Sequence, residues 1–391
     1  MELTVFQIFE LLIVFVSLLF AGFLFSVKTE NYTSNLLMAF FLILNAQDSG
    51  GSFISGFVYP NYPGWGMLIN STVLLIMPVL YLYIQSVIYS DFRLKWRDLW
   101  HGLPFLLNFL VFIPHYYSAG FEEKWIFLHS ENFHRLLEIR FTYIILHLQI
   151  AAYLIICFLN VRKYKKLLLE NYSNADMFHY NWLYQLLLIL AIGDIVASLK
   201  NVFLFMNAEE AYSYSLLASS LLMLGLICWM VLKALGNPDL FRGIDSGLQL
   251  VKDLTREQVS GESHSDDVVS YQDAETREKI EKLEKHMAEQ EPYLDASLSV
   301  YDLSRQLEIP VRELSLLINH VLDQHFFDFV NGFRIKKAMD ILRDPDKKEF
   351  TVLEILYEVG FNSKSSFNTA FKKYARLTPT EYRRKHLKSI S

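Results

Sequence analysis

Catalytic signatures are missing from this chain: there is no HExxH pair, no Gly-x-Ser-x-Gly elbow and no phosphate-binding P-loop. The chain is therefore expected not to be an enzyme and to need neither a cofactor nor a metal. Cysteine is scarce as well. The two present, Cys157 and Cys228, both fall in apolar segments, so a disulfide framework is not indicated and they are expected to be inert membrane thiols. No Lys or Arg precedes the first apolar run, which starts after Met1-Glu2. A cleaved signal peptide would open with positive charge, so that run is expected to be a retained membrane helix.

What the chain has in excess is apolar surface. A hydrophobic fraction of 52% and a mean hydropathy of +0.23 over 391 residues are too high for an ordinary soluble protein, and the excess lies almost wholly before residue 236. About 18–25 mainly apolar residues are needed to cross the hydrocarbon core as a helix. Such runs are expected near Leu3–Val27, Asn35–Phe57, Met67–Tyr89, Leu99–Tyr117, Phe141–Leu159, Trp182–Met206 and Ser213–Leu235. The fourth is the shortest and is opened by Pro104; six spans would be the count if it only lay in the interface.

Loop charges set the orientation, because Lys and Arg collect on the cytoplasmic side. Alternate loops carry Lys28, then Arg93, Lys95 and Arg97, then Arg162, Lys163, Lys165 and Lys166, then Lys233 and Arg242. The alternation requires an odd number of crossings, which retains the fourth span. It also predicts a multi-pass protein of the plasma (inner) membrane with its N-terminus outside and its C-terminus in the cytoplasm. Inside the spans, Asp48, His147, Asp194 and Lys200 are costly to bury in lipid and are candidate signal or ligand residues. The plainer reading is that they pair within the bundle or lie near a span end.

Past Gly236-Asn-Pro238 the composition turns polar. Residues 239–291 hold 7 Lys/Arg against 14 Asp/Glu, a net −7, and residues 292–391 hold 16 against 13, a net +3. The whole-chain charge of −6 thus hides a mildly basic end behind an acidic linker, expected at 237–274. Within Glu275–Glu291, Ile280, Leu283 and Met287 form one narrow helical stripe, which suits either the first helix of the following domain or a short dimer-forming coil.

The most legible stretch is Thr351–Lys385. Thr351-Val-Leu-Glu354 has the form of a capping box, and a helix over about Val352–Val359 follows, burying Leu353 or Leu356 with Ile355 and Val359. Gly360 ends it. A second helix restarts near Lys364 with Phe367, Ala370, Phe371 and Tyr374 on one face, and Thr378-Pro-Thr-Glu381 caps a third. Ser299-Val-Tyr-Asp302 repeats the first cap at an offset of 52 residues, and Leu314 and Ile318 match Phe367 and Phe371 at an offset of 53. Two bihelical units joined by a helix over about Phe327–Leu342 predict a duplicated helix-turn-helix domain at 275–391, after a membrane domain at 1–236. The expected fold class is all-α: a seven-helix transmembrane bundle, then the duplicated reader.

Residues 275–388 resemble the AraC/XylS-type DNA-binding domain. The resemblance is carried by Tyr301-Asp-Leu-Ser304, Glu313–Ile318, Phe327–Asn331 with Arg334 and Ala338, Glu358–Phe367, Ala370-Phe-Lys372 and Thr378–Arg383. It implies a cytoplasmic transcription regulator acting on double-stranded promoter DNA, with RNA polymerase and a second copy of the chain as expected partners. The fusion to a multi-span membrane part is similar to membrane-bound regulators of Bacteroidetes-type bacteria. That family usually has Gly where Asp323 and Arg376 stand and a small residue at Leu356.

In the first recognition helix Leu314, Leu317, Ile318 and Val321 are expected inside, leaving Arg312, Ser315, Leu316, Asn319 and His320 for DNA. In the second, Lys364, Ser365, Asn368 and Thr369 would face the groove, with Lys372, Lys373 and Arg383 on phosphates. The sequence reading is thus a regulator whose bundle senses an unknown ligand or membrane partner. The alternative is a transporter or channel with a fused autoregulatory DNA-binding domain, which would lose flux on Asp194→Asn.

Overall fold

Apolar runs with no polar face fold as helices whose sides remain greasy, and that is how the first part of the chain is built. The computed structural model describes residues 4–26, 32–89, 92–130, 133, 136–173, 177–236 and 274–387. The chain divides into two compact units. One is Met1–Arg162 with Phe178–Ser246, and the other is Lys163–Met177 with Gly247–Ser391. The expected linker at 237–274 lies outside the described residues apart from Ala274, as do Lys28 and Arg242.

The first unit holds α1 (Val5–Ser26), α2 (Tyr32–Ser49), α3 (Gly51–Asn61), α4 (Pro63–Ser71), α5 (Ile76–Ile88), α6 (Leu103–Phe112), α7 (Phe121–Leu128), most of α8 (Leu137–Asn171), α9 (Met177–Phe205) and α10 (Glu209–Gly236). Helix α1 packs on α2 and α10, and α2 on α5. Five described segments are long and apolar enough to cross a membrane: Val5–Ser26, Pro63–Ile88, Leu137–Asn171, Tyr180–Phe205 and Glu209–Leu235. Their outer faces remain open, with Phe15 64%, Leu148 66% and Ile195 60% exposed.

The second and fourth expected spans are broken. The second stops at Ser49 and restarts at Gly51, around a Gly50 whose added Cβ would lie 3.2 Å from the Ala46 carbonyl. The fourth divides into a 3-10 segment (Trp96–Gly102), the ten-residue α6 and a π-helical turn at Ile113–Tyr117 that contains Pro114. Proline lacks the N–H that would continue the ladder. Side chains tie neighbouring segments of this unit together: Asn108 Nδ2 of α6 donates to Ser71 Oγ of α4 at 2.9 Å, and Gln149 Nε2 of α8 to the Leu74 carbonyl at 2.8 Å. Each places a polar group buried in this unit against a partner, as an apolar setting demands.

In the second unit α11 (Ala274–Glu289) turns Leu283 and Met287 into a core with Leu303, Leu307, Leu314, Ile318 and Phe326, with Ile280 packed at its edge. The stripe that suited either a domain helix or a dimer coil is therefore used within the domain. Helices α12 (Val300–Leu307) and α13 (Val311–Leu316), the latter continued by a π-helical turn at Leu317–Val321, complete this core with the start of α14 (Phe326–Arg343). The rest of α14 forms a second core with α15 (Val352–Glu358), α16 (Lys364–Ala375) and α17 (Pro379–Leu387). Leu356 is the buried leucine of α15, while Leu353 is exposed. Tyr374 is exposed rather than internal, and its hydroxyl donates to the Asp328 carbonyl at 2.6 Å.

Left-handed backbone occurs at Glu308 (φ 55°), Gly360 (φ 88°), Asp323 (φ 48°) and Arg376 (φ 58°). The first two lie 52 residues apart and the last two 53. Arg376 is exposed and pays the Cβ–carbonyl repulsion of that conformation. Arg376→Gly is therefore expected to raise stability by about 0.5–1 kcal/mol, read as a higher melting temperature of this unit; a lower one would contradict the assignment.

Candidate nucleic-acid interface

Each recognition-helix candidate is placed by a capped helix and a tight turn before it. Ser299 caps α12, its Oγ accepting from the Asp302 N–H at 3.3 Å while Asp302 Oδ2 accepts from the Ser299 N–H at 3.1 Å. Thr351 and Glu354 exchange the equivalent pair at 3.1 and 2.7 Å, and Thr378 and Glu381 at 3.3 and 2.9 Å. Helix α16 starts at Ser363, whose Oγ accepts from the Ser366 N–H at 3.4 Å.

These caps carry a pH dependence. Hydrogen bonds from the Thr351 backbone and hydroxyl hold Glu354 below the ordinary glutamate range, and those from Thr378 do so for Glu381. At Asp302 burial pushes upward, but the Ser299 hydrogen bonds and Arg305 outweigh it. Carboxyls depressed on folding stabilise fully above their unfolded pKa values, near about 4, and the contribution disappears as pH falls through the folded values. The melting temperature of this unit is expected to drop below about pH 4, and Glu354→Gln with Glu381→Gln should flatten that drop. An equally steep decline in the double variant would place the effect elsewhere.

On α13 and its continuation, Arg312 and His320 are exposed and Asn319 is half-buried. Ser315 and Leu316, expected outside, are 5% and 7% exposed and so do not reach the surface. Five consecutive residues, Leu314–Ile318, are buried, so this helix is enclosed on more than one side, which a one-sided stripe counted at 3.6 residues per turn does not show. Asn319 is engaged locally, with Nδ2 donating to the Ser315 carbonyl at 2.8 Å.

On α16 Lys364, Ser365, Thr369, Lys372 and Lys373 are exposed and Asn368 is half-buried. Lys373 Nζ lies 2.6 Å from Asp328 Oδ1, so a carboxylate of α14 already competes for its charge. Arg383 is half-buried, and its Nη2 has no hydrogen-bond partner among the described residues. Arg384 and Lys385, outside the residues expected on DNA, extend the exposed basic surface along α17; their repetition beside Arg383 is the signal in the sequence. What the unit offers is two exposed polar-basic helix faces, each held by a separate core.

Residues 303–385 match the family model described as a helix-turn-helix domain. The C-terminal part carries a helix-turn-helix domain. Curated relatives include the melibiose operon regulatory protein of Escherichia coli, 26% identical over 90 residues, 23% of this chain and 29% of that protein. The HTH-type transcriptional regulator CdhR of Pseudomonas aeruginosa is 28% identical over 102 residues, 26% of this chain and 30% of that one. Among solved structures, the C-terminal domain of AraT, a response regulator from Geobacillus stearothermophilus, is 26% identical with a TM-score of 0.24, over 30% of this chain and 88% of that one. The chain thus spans less than a third of the length of these curated relatives.

The candidate signal residues in the first unit do not gather into one site. His147 of α8 and Asp194 of α9 meet, Nδ1 to Oδ1 at 2.9 Å. Two residues not foreseen join them: Ser198 Oγ lies 3.0 Å from the same Nδ1, and Asn201 Nδ2 lies 2.9 Å from Nε2. Both ring nitrogens are thus engaged, Nδ1 by Asp194 and Ser198 and Nε2 by Asn201. The spacing 194, 198, 201 is one helical face and was readable as such. Asp48 is exposed on α2 and Lys200 is half-buried off that face; their charges act on each other without joining the His147 cluster.

Proposed function

We propose that this chain is a membrane-anchored, AraC-type regulator of transcription that reads promoter DNA with two duplicated helix-turn-helix units. The match of residues 303–385 to the helix-turn-helix family carries this reading. The paired caps, the left-handed residues 52 and 53 apart and the two hydrophobic cores support the duplication. Arg312 and Lys364 are assigned to base edges, where a guanidinium fork suits guanine O6 and N7. Lys372 and Arg383 are assigned to phosphates, and Lys373 only once Asp328 is displaced. Ser315 and Leu316 support the helix from inside. Two recognition helices in one domain would meet successive major grooves about 34 Å apart. RNA polymerase and a second copy of the chain are the partners such a reader would take.

The anchoring rests on the exposed apolar faces of the five long segments. Seven crossings, with the N-terminus outside, place Arg93, Lys95 and Arg97 on the same side as Arg162 and Lys163. The two broken segments suit this count because interrupted helices are tolerated in a membrane where the freed backbone is buried in protein. The His147–Asp194 cluster is the proposed seat of the signal.

The test is capture of sheared genomic DNA by full-length protein in lipid vesicles at low and high salt. Discrete fragments, lost steeply as salt rises, are expected. Recovery of random DNA, or release of the protein from membranes by alkaline carbonate, would sink the reading.

A further inference from the structure

Arg334 is the most demanding buried group in the second unit. It is 0% exposed and lies on α14 between the residues that serve the first core and those that serve the second. A guanidinium has five N–H donors, and each needs an acceptor when water is excluded. Nε donates to the Tyr293 carbonyl at 2.6 Å. Nη1 donates to Asn331 Oδ1 at 3.3 Å, and Nη2 to the Asp295 carbonyl at 2.8 Å. The last two acceptors come from a residue 161 positions earlier: Nη1 donates to the Ser173 carbonyl and Nη2 to Ser173 Oγ, both at 3.0 Å. The guanidinium also lies over the Phe361 ring of the second core, 5.5 Å from its centroid.

Ser173 is itself 0% exposed. Its N–H donates to the Leu298 carbonyl at 3.1 Å, and Tyr172 forms an antiparallel bridge with Ser299, the cap of α12. This segment directly follows α8, whose last turns bury Tyr164, Leu167, Leu168 and Asn171 at helical spacing. Helix α8 is continuous for 35 residues.

We propose that Tyr172–Ser173 is a docking strap for the DNA-binding domain: it completes the acceptor set of Arg334 and couples displacement of α8 to the joint between the two reading halves. With the strap in place all five guanidinium donors are met and both cores are tied through one side chain. With it withdrawn, two buried donors lose their acceptors. The joint must then admit water or rearrange, which changes the angle between the recognition helices. The docking stands on the contacts alone; its effect on DNA rests on the function proposed above.

The experiment uses the full chain in lipid nanodiscs with Cys157 and Cys228 replaced by Ala. Facing residues of an antiparallel pair have Cα atoms about 4.5–5.5 Å apart, within disulfide reach. Tyr172→Cys with Ser299→Cys should therefore close an intramolecular disulfide under mild oxidation at least about tenfold faster than Tyr172→Cys with Lys385→Cys. Equal rates overturn the docking. In the second arm, Ser173→Pro removes the N–H donor and Ser173→Ala removes only Oγ. Affinity for the DNA that the wild-type chain selects should fall about tenfold for the first and about threefold for the second. Unchanged affinity in both, with the disulfide formed, overturns the coupling. A wild-type chain that selects no DNA refutes the DNA-reading function, while the disulfide arm still decides the docking.

Discussion

Replacing Gly360 by Ala should unfold the core that α15, α16 and α17 form with the end of α14. Its φ of +88° is strained for any residue with a Cβ, and an added Cβ would stand 2.6 Å from the Tyr293 carbonyl oxygen and 2.8 Å from that of Leu294. Both obstacles are backbone, so neither can swing away as a flexible side chain would. The left-handed penalty and the overpacking together cost about 2–5 kcal/mol, a large share of the stability of a small domain. The Tyr293 carbonyl is also the acceptor for Arg334 Nε, so pushing it aside loosens both cores. Loss of the melting transition of the second unit, with the first unit still folded, is the expected result. An unchanged transition would mean that the turn at Gly360 opens away from residues 293–294.

The second large effect is on binding. Arg312 and Lys364 are exposed on the two recognition-helix candidates, so truncating them leaves the cores untouched and stability within about 0.5 kcal/mol. Each assigned base contact is worth about 1–3 kcal/mol. Arg312→Ala with Lys364→Ala should therefore weaken binding to the selected site by about a hundredfold or more. Each single variant should relax sequence preference in a different half of the site. Lys372→Ala should instead weaken all sequences alike and reduce the salt slope by about one. Full binding by the double variant, at wild-type stability, would remove both faces from the interface.

Much of the reading half could be traced from the residues because its signals are short-range. Capping boxes operate over three positions, so Thr351–Glu354, Thr378–Glu381 and Ser299–Asp302 announce their helices directly. Amphipathic stripes recur every three or four positions, and Ile355, Leu356 and Val359 at α15 and Phe367, Ala370 and Phe371 of α16 are buried where the spacing puts them, with Tyr374 the exception. The counting failed where a helix is enclosed on more than one side or its ladder is interrupted. Leu314–Ile318 are all buried, which takes Ser315 and Leu316 inside, and the breaks near Gly50 and at Pro114 divide two apolar runs that hydropathy reads as continuous. Hydropathy averages composition along the chain and is blind to where a backbone ladder is interrupted.

The sequence by itself determined that the chain has a greasy first part with basic loops, a charged boundary near residue 237 and a capped, mildly basic helix-turn-helix end. Those properties are sums or short repeats, and no contact is needed to read them. Only the tertiary structure decided which residues meet: His147 with Asp194, Ser198 and Asn201, and Arg334 with acceptors on Ser173, Tyr293, Asp295 and Asn331. A buried guanidinium takes carbonyls and hydroxyls from whatever backbone packing brings to it, and nearly every residue carries a carbonyl. Nothing in the local sequence marks the one at Ser173.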